Sequence, residues 1–316
     1  MLVTVFRRLT GNKWKALSLF IGLVLAVAIA FCVPVYSNGI LQRLLIKNLE
    51  RGYIETGEYP TYISATFRMT GGTSAAIKIH NTMNDVIDKT IHDRMGLKEI
   101  EKGSYIKYKY FEYKTGKKDV FSQTLYSSFT FNCIDRFEDY VNVTAGRMYN
   151  PDRDDGIVEV VVSKKFLIKN EMTLNEVYKA DSKFSNEGPI EYILVGVVEP
   201  KDVNDLFWFN EFKNFDGLTF AHNNNFKDRL LNQPDFSRHV AEMSVYSAID
   251  YNDIKINNLA NIVKSFDTGK DEFKNTIGID LFEFGAQDTL REYIKTSDMV
   301  FASILIVVIP ILVLLV

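Results

Sequence analysis

Two long runs without charge limit the folds that are open to this chain. The first covers 27 residues, at 16–42, and the second covers 18, at 299–316. An α-helix rises 1.5 Å per residue, so about 20 apolar residues cross the roughly 30 Å hydrocarbon core of a bilayer. The sequence therefore predicts two transmembrane helices, at 17–36 and 298–316, with the intervening chain outside the lipid.

Basic residues set the predicted orientation. Arg7, Arg8, Lys13 and Lys15 lie before the first run with no acidic residue among them, and cytoplasmic flanks favour Lys and Arg. Residues 1–16 are therefore predicted to be a cytoplasmic, basic amphipathic segment. Without these four residues, 33 basic side chains face 40 acidic ones, a charge of −7. A mildly acidic external domain gives no reason to expect nucleic acid as a partner.

A cleaved secretory signal is the alternative for the N-terminus, with Ala28, Ile29 and Ala30 as an A-x-A cleavage site. Against it, the apolar run is longer than an ordinary signal core, and its pattern continues as a helix beyond the lipid. A lipoprotein signal is disfavoured because Phe31 precedes Cys32, where a small residue is expected. The second run at 299–316 argues independently for anchoring.

Apolar stripes continue out of both runs at helical spacing. In the first helix the stripe follows Pro34, a possible kink, and in the second the helix is predicted to begin near Ala286. Both helices are predicted to rise from the bilayer as stalks, or equally to pack against the base of the external domain. The stripe residues are Ile40, Leu41, Leu44, Leu45, Asn48 and Leu49 in the first helix, and Leu290, Ile294 and Phe301 in the second.

Residues 37–297 are predicted to form an extracytoplasmic α+β domain, with a second lobe from about residue 201, where an aromatic and Asn-rich stretch begins. Cys133 is the one cysteine in this region, so no internal disulfide is available, and a buried thiol is the expectation. The pattern predicts strands at 62–69, 104–114, 120–134, 157–162 and 192–199, with helices at 74–94, 164–170 and 252–266.

Two details of these elements are specific. The strands at 104–114 and 120–134 are predicted to pair as a hairpin around Gly116, and the tyrosines 105, 108, 110 and 113 to pack on both faces of a sheet instead of forming a ligand platform. Asp250 is predicted to cap the last helix.

Catalytic motifs are not found in the sequence. The Gly-Lys pairs at 116 and 269 lack the upstream glycine of a phosphate loop, so ATP binding by that route is excluded. His80, His92, His222 and His239 form no zinc motif. Asp152, Asp154, Asp155 and Gly156 resemble a calcium loop, but position 12 is Ser163 and a solvated turn is preferred. We therefore predict no catalytic, cofactor-binding or metal-ligating residues, no cofactor and no enzyme activity.

Residues 141–180, followed by 190–200, resemble the extracytoplasmic core domain of FtsX/MacB-like ABC transporter permeases. The shared features are a Gly-Arg pair at Gly146 and Arg147, an acidic turn, a strand with Glu159 before valines, a short helix, and the Val-Gly-Val of 195–197. Residues 5–45 and 288–300 are similar to the first helix of Gram-positive members and to the approach to their second helix.

The resemblance implies a multi-pass permease subunit in the bacterial cell membrane. It further implies a homodimer or heterodimer of permeases, a separate cytoplasmic ATPase as partner, and an external domain that is moved through rigid helices. The substrate and the further helices are left open. Gly146 and Arg147 are expected to be structural. Since the family continues into further helices, the resemblance implies that this chain is the N-terminal part of a longer subunit.

A second functional class fits the same topology: a two-span membrane sensor with an external ligand-binding domain. Residues after 316 would discriminate the two, because further hydrophobic spans favour the permease and a polar heptad-bearing linker favours the receptor. An anchored adhesion domain is a third interpretation, although the repeats and disulfides that are common in such proteins are missing from the sequence.

Overall fold

The computed structural model describes residues 13–68, 76–108, 111–118, 124–153, 155–181, 190–208, 215–226, 240–278 and 281–315. Two compact units are present and are treated separately. The helical unit contains the described parts of Met1–Pro60, Tyr251–Val263 and Ala286–Val316. The sheet unit contains those of Thr61–Asp250 and Lys264–Gly285.

The described α-helices that are longer than one turn are α1 Lys13–Thr56, α2 Ala76–Asp88, α3 Lys164–Lys169, α4 Leu259–Ile277 and α5 Gln287–Leu315. The strands are β1 Tyr62–Arg68, β2 Glu99–Tyr108, β3 Phe111–Lys118, β4 Thr124–Phe129, β5 Phe131–Ile134, β6 Val141–Gly146, β7 Val158–Val162, β8 Val177–Asp181, β9 Ile190–Pro200, β10 Thr219–Ala221, β11 Val240–Ile249 and β12 Phe282–Phe284. A π-helix, Lys89–Met95, follows α2.

In the helical unit, α1 is one continuous helix of 44 residues, and it contacts α5. Leu41, Leu45 and Leu49 are buried at i, i+4 and i+8, whereas Ile40 and Leu44 are exposed. The predicted stripe is thus half buried. In α5 the predicted start near 286 is confirmed, and Leu290 is buried.

A side chain of α1 also holds the segment that follows β11. Gln42 Nε2 donates to the carbonyl of Ile254 at 2.8 Å, and the N–H of Ile256 donates to Gln42 Oε1 at 2.8 Å. Ile254 is itself fully buried. One amide side chain therefore satisfies a backbone acceptor and a backbone donor two residues apart, which fixes this segment against α1.

Among the residues that the structure describes, no helix combines the length and the hydropathy that crossing a bilayer requires. The spans at 17–36 and 298–316 stay predictions.

The sheet unit is mixed α/β around one large sheet, which agrees with the predicted α+β class. Its described strands run in the order β12-β1-β11-β2-β5-β10-β7-β9-β8-β3-β4, and β6 pairs with β9. Most pairs are antiparallel, whereas β10 with β5 and β7 with β9 are parallel. The predicted strands at 62–69, 157–162 and 192–199 are confirmed.

Helices cover parts of this sheet. Helix α2 contacts β1 and β11 and buries Met83, Val86 and Ile87, as its spacing predicts. The part of α4 within the sheet unit places Phe266 against β12, with the Phe266 and Phe282 ring centroids 5.3 Å apart. The α-helix of α4 begins at Leu259, nine residues after Asp250. Asp250 is therefore not its N-cap, because two short 3₁₀ turns come first.

The aromatic stretch after Pro200 belongs to the same core as the preceding strands. Phe207, Trp208, Phe215 and Phe220 are buried in a cluster with residues from β2, β5, β6, β7 and β9, and β10 pairs with both β5 and β7. The predicted lobe boundary at about residue 201 does not coincide with a break in the sheet. Aromatic density marks the core of the sheet unit there.

The predicted hairpin is present as two consecutive pairings. Strand β2 pairs with β5, and β3 pairs with β4. The predicted turn at Gly116 is displaced, because Gly116 lies within β3, where the register shifts between Lys114 and Lys118. Tyr105 and Tyr108 are buried, which supports sheet packing over a ligand platform at these positions. Tyr110 and the side chain of Tyr113 lie outside what the structure describes.

Candidate functional site

The Gly-Arg pair of the sequence motif meets the motif glutamate at the end of β6. Arg147 Nη1 donates to Glu159 Oε2 at 2.6 Å, and Nη2 donates to Oε1 at 2.5 Å. Glu159 lies in the middle of β7 between valines and is 2% exposed. A bidentate arginine is the partner that makes such a buried carboxylate tolerable.

Two more donors complete this group, which we term the Glu159 cluster (Arg147, Asn150, Arg153 and Glu159). The N–H of Asn150 donates to Glu159 Oε2 at 2.7 Å, and Arg153 Nη1 donates to Oε1 at 2.7 Å. Burial raises the pKa of Glu159, but hydrogen bonds from Arg147, Asn150 and Arg153 outweigh it and lower the pKa to about 2. At neutral pH the carboxylate is therefore ionised, and each of its two oxygens accepts two hydrogen bonds.

The glycine of the pair is needed for backbone contact. Gly146 has φ +72°, and a Cβ there would lie 2.2 Å from the carbonyl oxygen of Val195. On the facing strand, a Cβ on Gly196 would lie 2.1 Å from the carbonyl oxygen of Arg147. The two glycines let β6 and β9 approach closely. The structure thus gives Gly146 and Arg147 the structural places that the sequence predicts.

The acidic turn beside the cluster is tied to arginine. Asp155 accepts from Arg153 Nε and Nη2, both at 2.7 Å, and its Oδ1 also accepts from the N–H of Ile157 at 3.1 Å. Asp152 is exposed, and Asp154 lies outside the described residues. The oxygens of Asp155 are engaged by Arg153, so this part of the turn is held by a salt bridge, which the predicted solvated turn did not include.

A second polar region has the concave shape of a binding site. This pocket, which we term the β2 groove, has a volume of about 570 Å³ and lies along the first half of β2. Its lining includes Asn84, Glu99, Glu101, Lys102, Asp135 and Arg136. Charges of both signs therefore line one depression of the sheet unit.

Three of the five charged lining residues form salt bridges: Arg136 with Glu101, and Lys102 with Asp88. Arg136 donates to Glu101 Oε1 at 2.5 Å and to the Lys102 carbonyl, and Tyr140 donates to Glu101 Oε2 at 3.1 Å. Lys102 Nζ donates to Asp88 Oδ1 at 2.5 Å. Arg136 has φ +59°, a conformation uncommon for a residue with a side chain. The groove is therefore shaped by a strained residue that its salt bridge to Glu101 holds in place.

Among the described residues, the serine of the groove is bound to a carboxylate. Ser104 donates to Asp135, whereas the serine of a Ser-His-Asp triad donates to an imidazole. Burial lowers the pKa of His80; Asp135 opposes this effect and Lys102 adds to it. At neutral pH, His80 is uncharged. The arrangement suits binding of a polar ligand better than acyl transfer.

The floor of the groove contains a glycine for steric reasons. A Cβ on Gly103 would lie 2.4 Å from the hydroxyl oxygen of Tyr246. That hydroxyl donates to the carbonyl of Phe207, so the ring cannot move away cheaply. Gly103 thus allows β2 to lie directly under a buried tyrosine of β11.

Three potential metal ligands lie at the rim of the β2 groove: Asp88, His92 and Glu99. One ligand atom from each lies within 4.8 Å of the other two. The sequence prediction of no metal ligands did not consider this set. In the sequence, this set is visible only as an Asp-x-x-x-His spacing at a helix end, followed by a glycine and then a glutamate. Such a pattern is too short to be specific for a metal site.

The other sequence candidates have packing roles where they are described. The ring of His222 lies 5.8 Å from that of Tyr149. Cys133 is buried, and burial, with the nearby charge of Asp135, raises the pKa of its thiol well above the usual range. This agrees with the expected buried thiol. His239 lies outside the described residues.

Comparisons with known proteins leave the family open. No protein-family model matches the chain, and no curated protein matches it in sequence. One solved structure that aligns with it is the crystal structure of a domain assigned to a permease protein from Porphyromonas gingivalis. The alignment has 13% identity and a TM-score of 0.33, and it covers 68% of this chain and 83% of that one. A likeness at this level decides neither family nor function.

Proposed function

We propose that this chain is part of the membrane-spanning subunit of an FtsX/MacB-like ABC transporter, in which a separate ATPase moves an extracytoplasmic domain. The observation that carries the proposal is the form of α1. Its 44 residues extend about 66 Å, twice the thickness of a hydrocarbon core. One half is the uncharged run, and the other half packs in the helical unit. A single continuous helix of this form suits transmission of movement, whereas the proposed anchoring rests on the uncharged runs of the sequence at 16–42 and 299–316.

The apolar halves of both long helices have exposed side chains that suit contact with lipid. Large hydrophobic side chains are exposed along them: Leu17, Phe20, Ile21, Leu23, Val24, Leu25 and Val27 in α1, and Met299, Phe301, Leu305, Ile306 and Ile309 in α5. Contiguous exposed apolar surface of this kind marks a membrane or protein contact. In this proposal the N-terminus is cytoplasmic and the sheet unit lies outside the cell membrane.

The proposal assigns no chemistry to the sheet unit. Two polar groups of the sheet unit, the Glu159 cluster and the Glu101–Arg136 pair, are engaged in internal hydrogen bonds. ATP hydrolysis belongs to the cytoplasmic partner, and the permease acts as a homodimer or heterodimer. The class of substrate, whether exported, extracted or sensed, is not assigned.

Cysteine accessibility tests the orientation. Val203 is 65% exposed and Trp14 is 82% exposed. In a chain with Cys32→Ser and Cys133→Ser, Val203→Cys and Trp14→Cys therefore each place one accessible thiol in the folded protein. A membrane-impermeant maleimide applied to intact spheroplasts should label position 203 and should reach position 14 only after permeabilisation. Labelling of position 14 alone in intact spheroplasts would contradict the orientation, and labelling of neither before lysis would contradict the external location.

Helix-breaking substitutions test the mechanical role. Pro in a helix interior costs about 3 kcal/mol or more, so Leu45→Pro in the intact subunit should interrupt the first stalk. Leu290→Pro removes the hydrogen bond from the Leu290 N–H to the Ala286 carbonyl and should loosen the start of the second stalk. ATP hydrolysis by the partner should continue while transport-linked output falls. Leu45→Ala and Leu290→Ala keep the helix and serve as controls for lost packing. Full output from both proline variants at normal expression would show that the helices are passive tethers.

A two-span sensor receptor is the second candidate, and the β2 groove is the observation that favours it. A pocket of about 570 Å³ lined by charged side chains is large enough for a small polar ligand. A receptor would signal through its cytoplasmic output without an ATPase. Co-purification of the intact subunit with an ABC ATPase, whose hydrolysis rate changes on assembly, would favour the permease over the receptor.

A further inference from the structure

One imidazole and two carboxylates converge at the rim of the β2 groove, and we propose that they bind a divalent transition-metal ion, best matched by Zn²⁺. The ligands are Asp88, His92 and Glu99. This site is a property of the sheet unit alone and does not depend on the proposed transport role.

The backbone places these residues by an unusual helix end. Asp88 is the last residue of α2, His92 lies in the following π-helix, and Glu99 is the first residue of β2. Gly96, at φ +66°, ends the π-helix, and the N–H of Leu97 donates to the Ile91 carbonyl at 3.1 Å. Short π-helical segments occur frequently at functional sites. Here the wide turn and the glycine return the chain so that Glu99 faces the helix end.

The spacing of the ligand atoms is close to that of a coordination sphere. One atom from each of the three side chains lies within 4.8 Å of the others. Zinc bonds to nitrogen and oxygen are about 2.0–2.2 Å long and are arranged tetrahedrally, so two ligand atoms of one ion lie about 3.4 Å apart. Side-chain movements of about 1–1.5 Å, by residues that are exposed or half-buried, close the difference from 4.8 Å.

The neighbouring groups prepare the two carboxylates differently. The hydroxyl of the buried Ser247 donates to Glu99 Oε2 at 2.9 Å. This hydrogen bond orients the carboxylate, as hydrogen bonds to metal-binding carboxylates do in known metal sites. Asp88 instead holds Lys102 at 2.5 Å. The ammonium compensates the Asp88 charge when no cation is bound, and a divalent ion would compete with it.

The ligand set selects the class of ion. Imidazole suits Zn²⁺ and other transition metals, whereas Mg²⁺ and Ca²⁺ prefer all-oxygen shells. Three protein ligands with an exposed imidazole leave further positions for water or for a group bound in the groove. The site therefore resembles an open coordination shell more than a closed structural one.

Metal titration of the purified, tag-free 316-residue chain in mild detergent tests this site. Competition with a chromophoric chelator should show one Zn²⁺ bound per chain, with much weaker binding of Mg²⁺ and Ca²⁺. Co²⁺ should give visible bands without a sulfur-to-metal charge-transfer band, which separates this site from ligation by Cys32 or Cys133.

Three variants make the test specific. His92→Ala removes an exposed ligand and should weaken Zn²⁺ binding at least about tenfold, and Glu99→Gln should do the same with the shape preserved. Lys102→Gln removes the competing ammonium and should tighten binding. His222→Ala is the matched control and should leave affinity unchanged.

Two results would overturn the proposal. One is Zn²⁺ affinity that is the same in His92→Ala and Glu99→Gln as in the unmodified chain, since the ion would then bind elsewhere. The other is equal weakening by His92→Ala and His222→Ala, which indicates scattered surface binding. Unchanged near-ultraviolet circular dichroism of each variant shows that the fold is intact, so a negative result counts against the site itself.

Discussion

Glu159→Gln removes the one anion of the Glu159 cluster while preserving the side-chain shape. Arg147 and Arg153 then lose their shared carboxylate, and the single carbonyl oxygen of a buried amide cannot accept all four hydrogen bonds that reach Glu159. We expect the sheet unit to be destabilised strongly at neutral pH and less so in acid. The reason is that the wild-type carboxylate itself becomes protonated as the pH falls.

The magnitude follows from the pKa of Glu159, which lies at about 2 in the folded chain against an ordinary value of 4.5. At about 1.4 kcal/mol per pKa unit, the ionised carboxylate contributes about 3 kcal/mol to folding at pH 7. A depressed folded-state pKa gives stability that is fully present above the unfolded-state pKa and is lost as pH falls toward the folded-state value. At pH 3.5 about 2 kcal/mol of the contribution should remain.

Urea unfolding at the two pH values measures this. In a Trp14→Phe background, Trp208 is the single tryptophan, and it lies 3% exposed in the aromatic core of the sheet unit. Its emission therefore reports unfolding of that unit. Glu199→Gln, an exposed carboxylate on the neighbouring strand β9, is the control and should change the free energy of unfolding by less than about 0.5 kcal/mol. A Glu159→Gln penalty that is absent at pH 7, or that grows between pH 7 and 3.5, would refute the electrostatic reasoning.

Three further outcomes are expected. Gly146→Ala should cost at least about 2 kcal/mol of sheet-unit stability, because its Cβ would meet the Val195 carbonyl at positive φ, whereas Gly217→Ala, with open space around it, should be nearly neutral in the same urea assay. Leu45→Ala should destabilise the helical unit by about 2–5 kcal/mol through lost packing and should therefore lower its melting temperature in detergent. An equal effect of Leu44→Ala, at an exposed position, would contradict the buried stripe. In a Cys32→Ser chain, Cys133 should react with a disulfide reagent only at the rate of unfolding, because burial keeps its thiol protonated and covered, and rapid labelling of the native chain would disprove this.

Periodicity in the sequence was sufficient for the elements with clear apolar patterns. Strands β7 and β9 are rich in β-branched residues, and α2 has one apolar face, so local pattern and burial agree. The motif resemblance singled out Gly146, Arg147 and Glu159, but it did not predict that Arg147 binds Glu159; the structure shows that contact, and a buried glutamate among valines demands such a partner.

Non-local pairing decided what the sequence did not reveal. Strand β11 at 240–249 was not predicted, although it lies between β1 and β2, because its alternation is weak and its neighbours are far away in sequence. The order of β10 between β5 and β7 is equally non-local. The metal-ligand set at Asp88, His92 and Glu99 depends on a π-helical turn and a left-handed glycine, neither of which has a strong composition signal.

Strand β9 divides the sheet into two arms, which should differ in how cooperatively they unfold. One edge of β9 pairs with β7, while the other edge pairs first with β8 at residues 190–193 and then with β6 at 196–200. The arm β8-β3-β4 therefore joins the rest of the sheet through the first residues of β9. In native-state hydrogen exchange, this arm can open as a local unit, whereas amides of Val195–Val197, inside the buried part of β9, should exchange only through global unfolding. Substitutions in β8, β3 or β4 should therefore lower the free energy of global unfolding less than equivalent substitutions in β9.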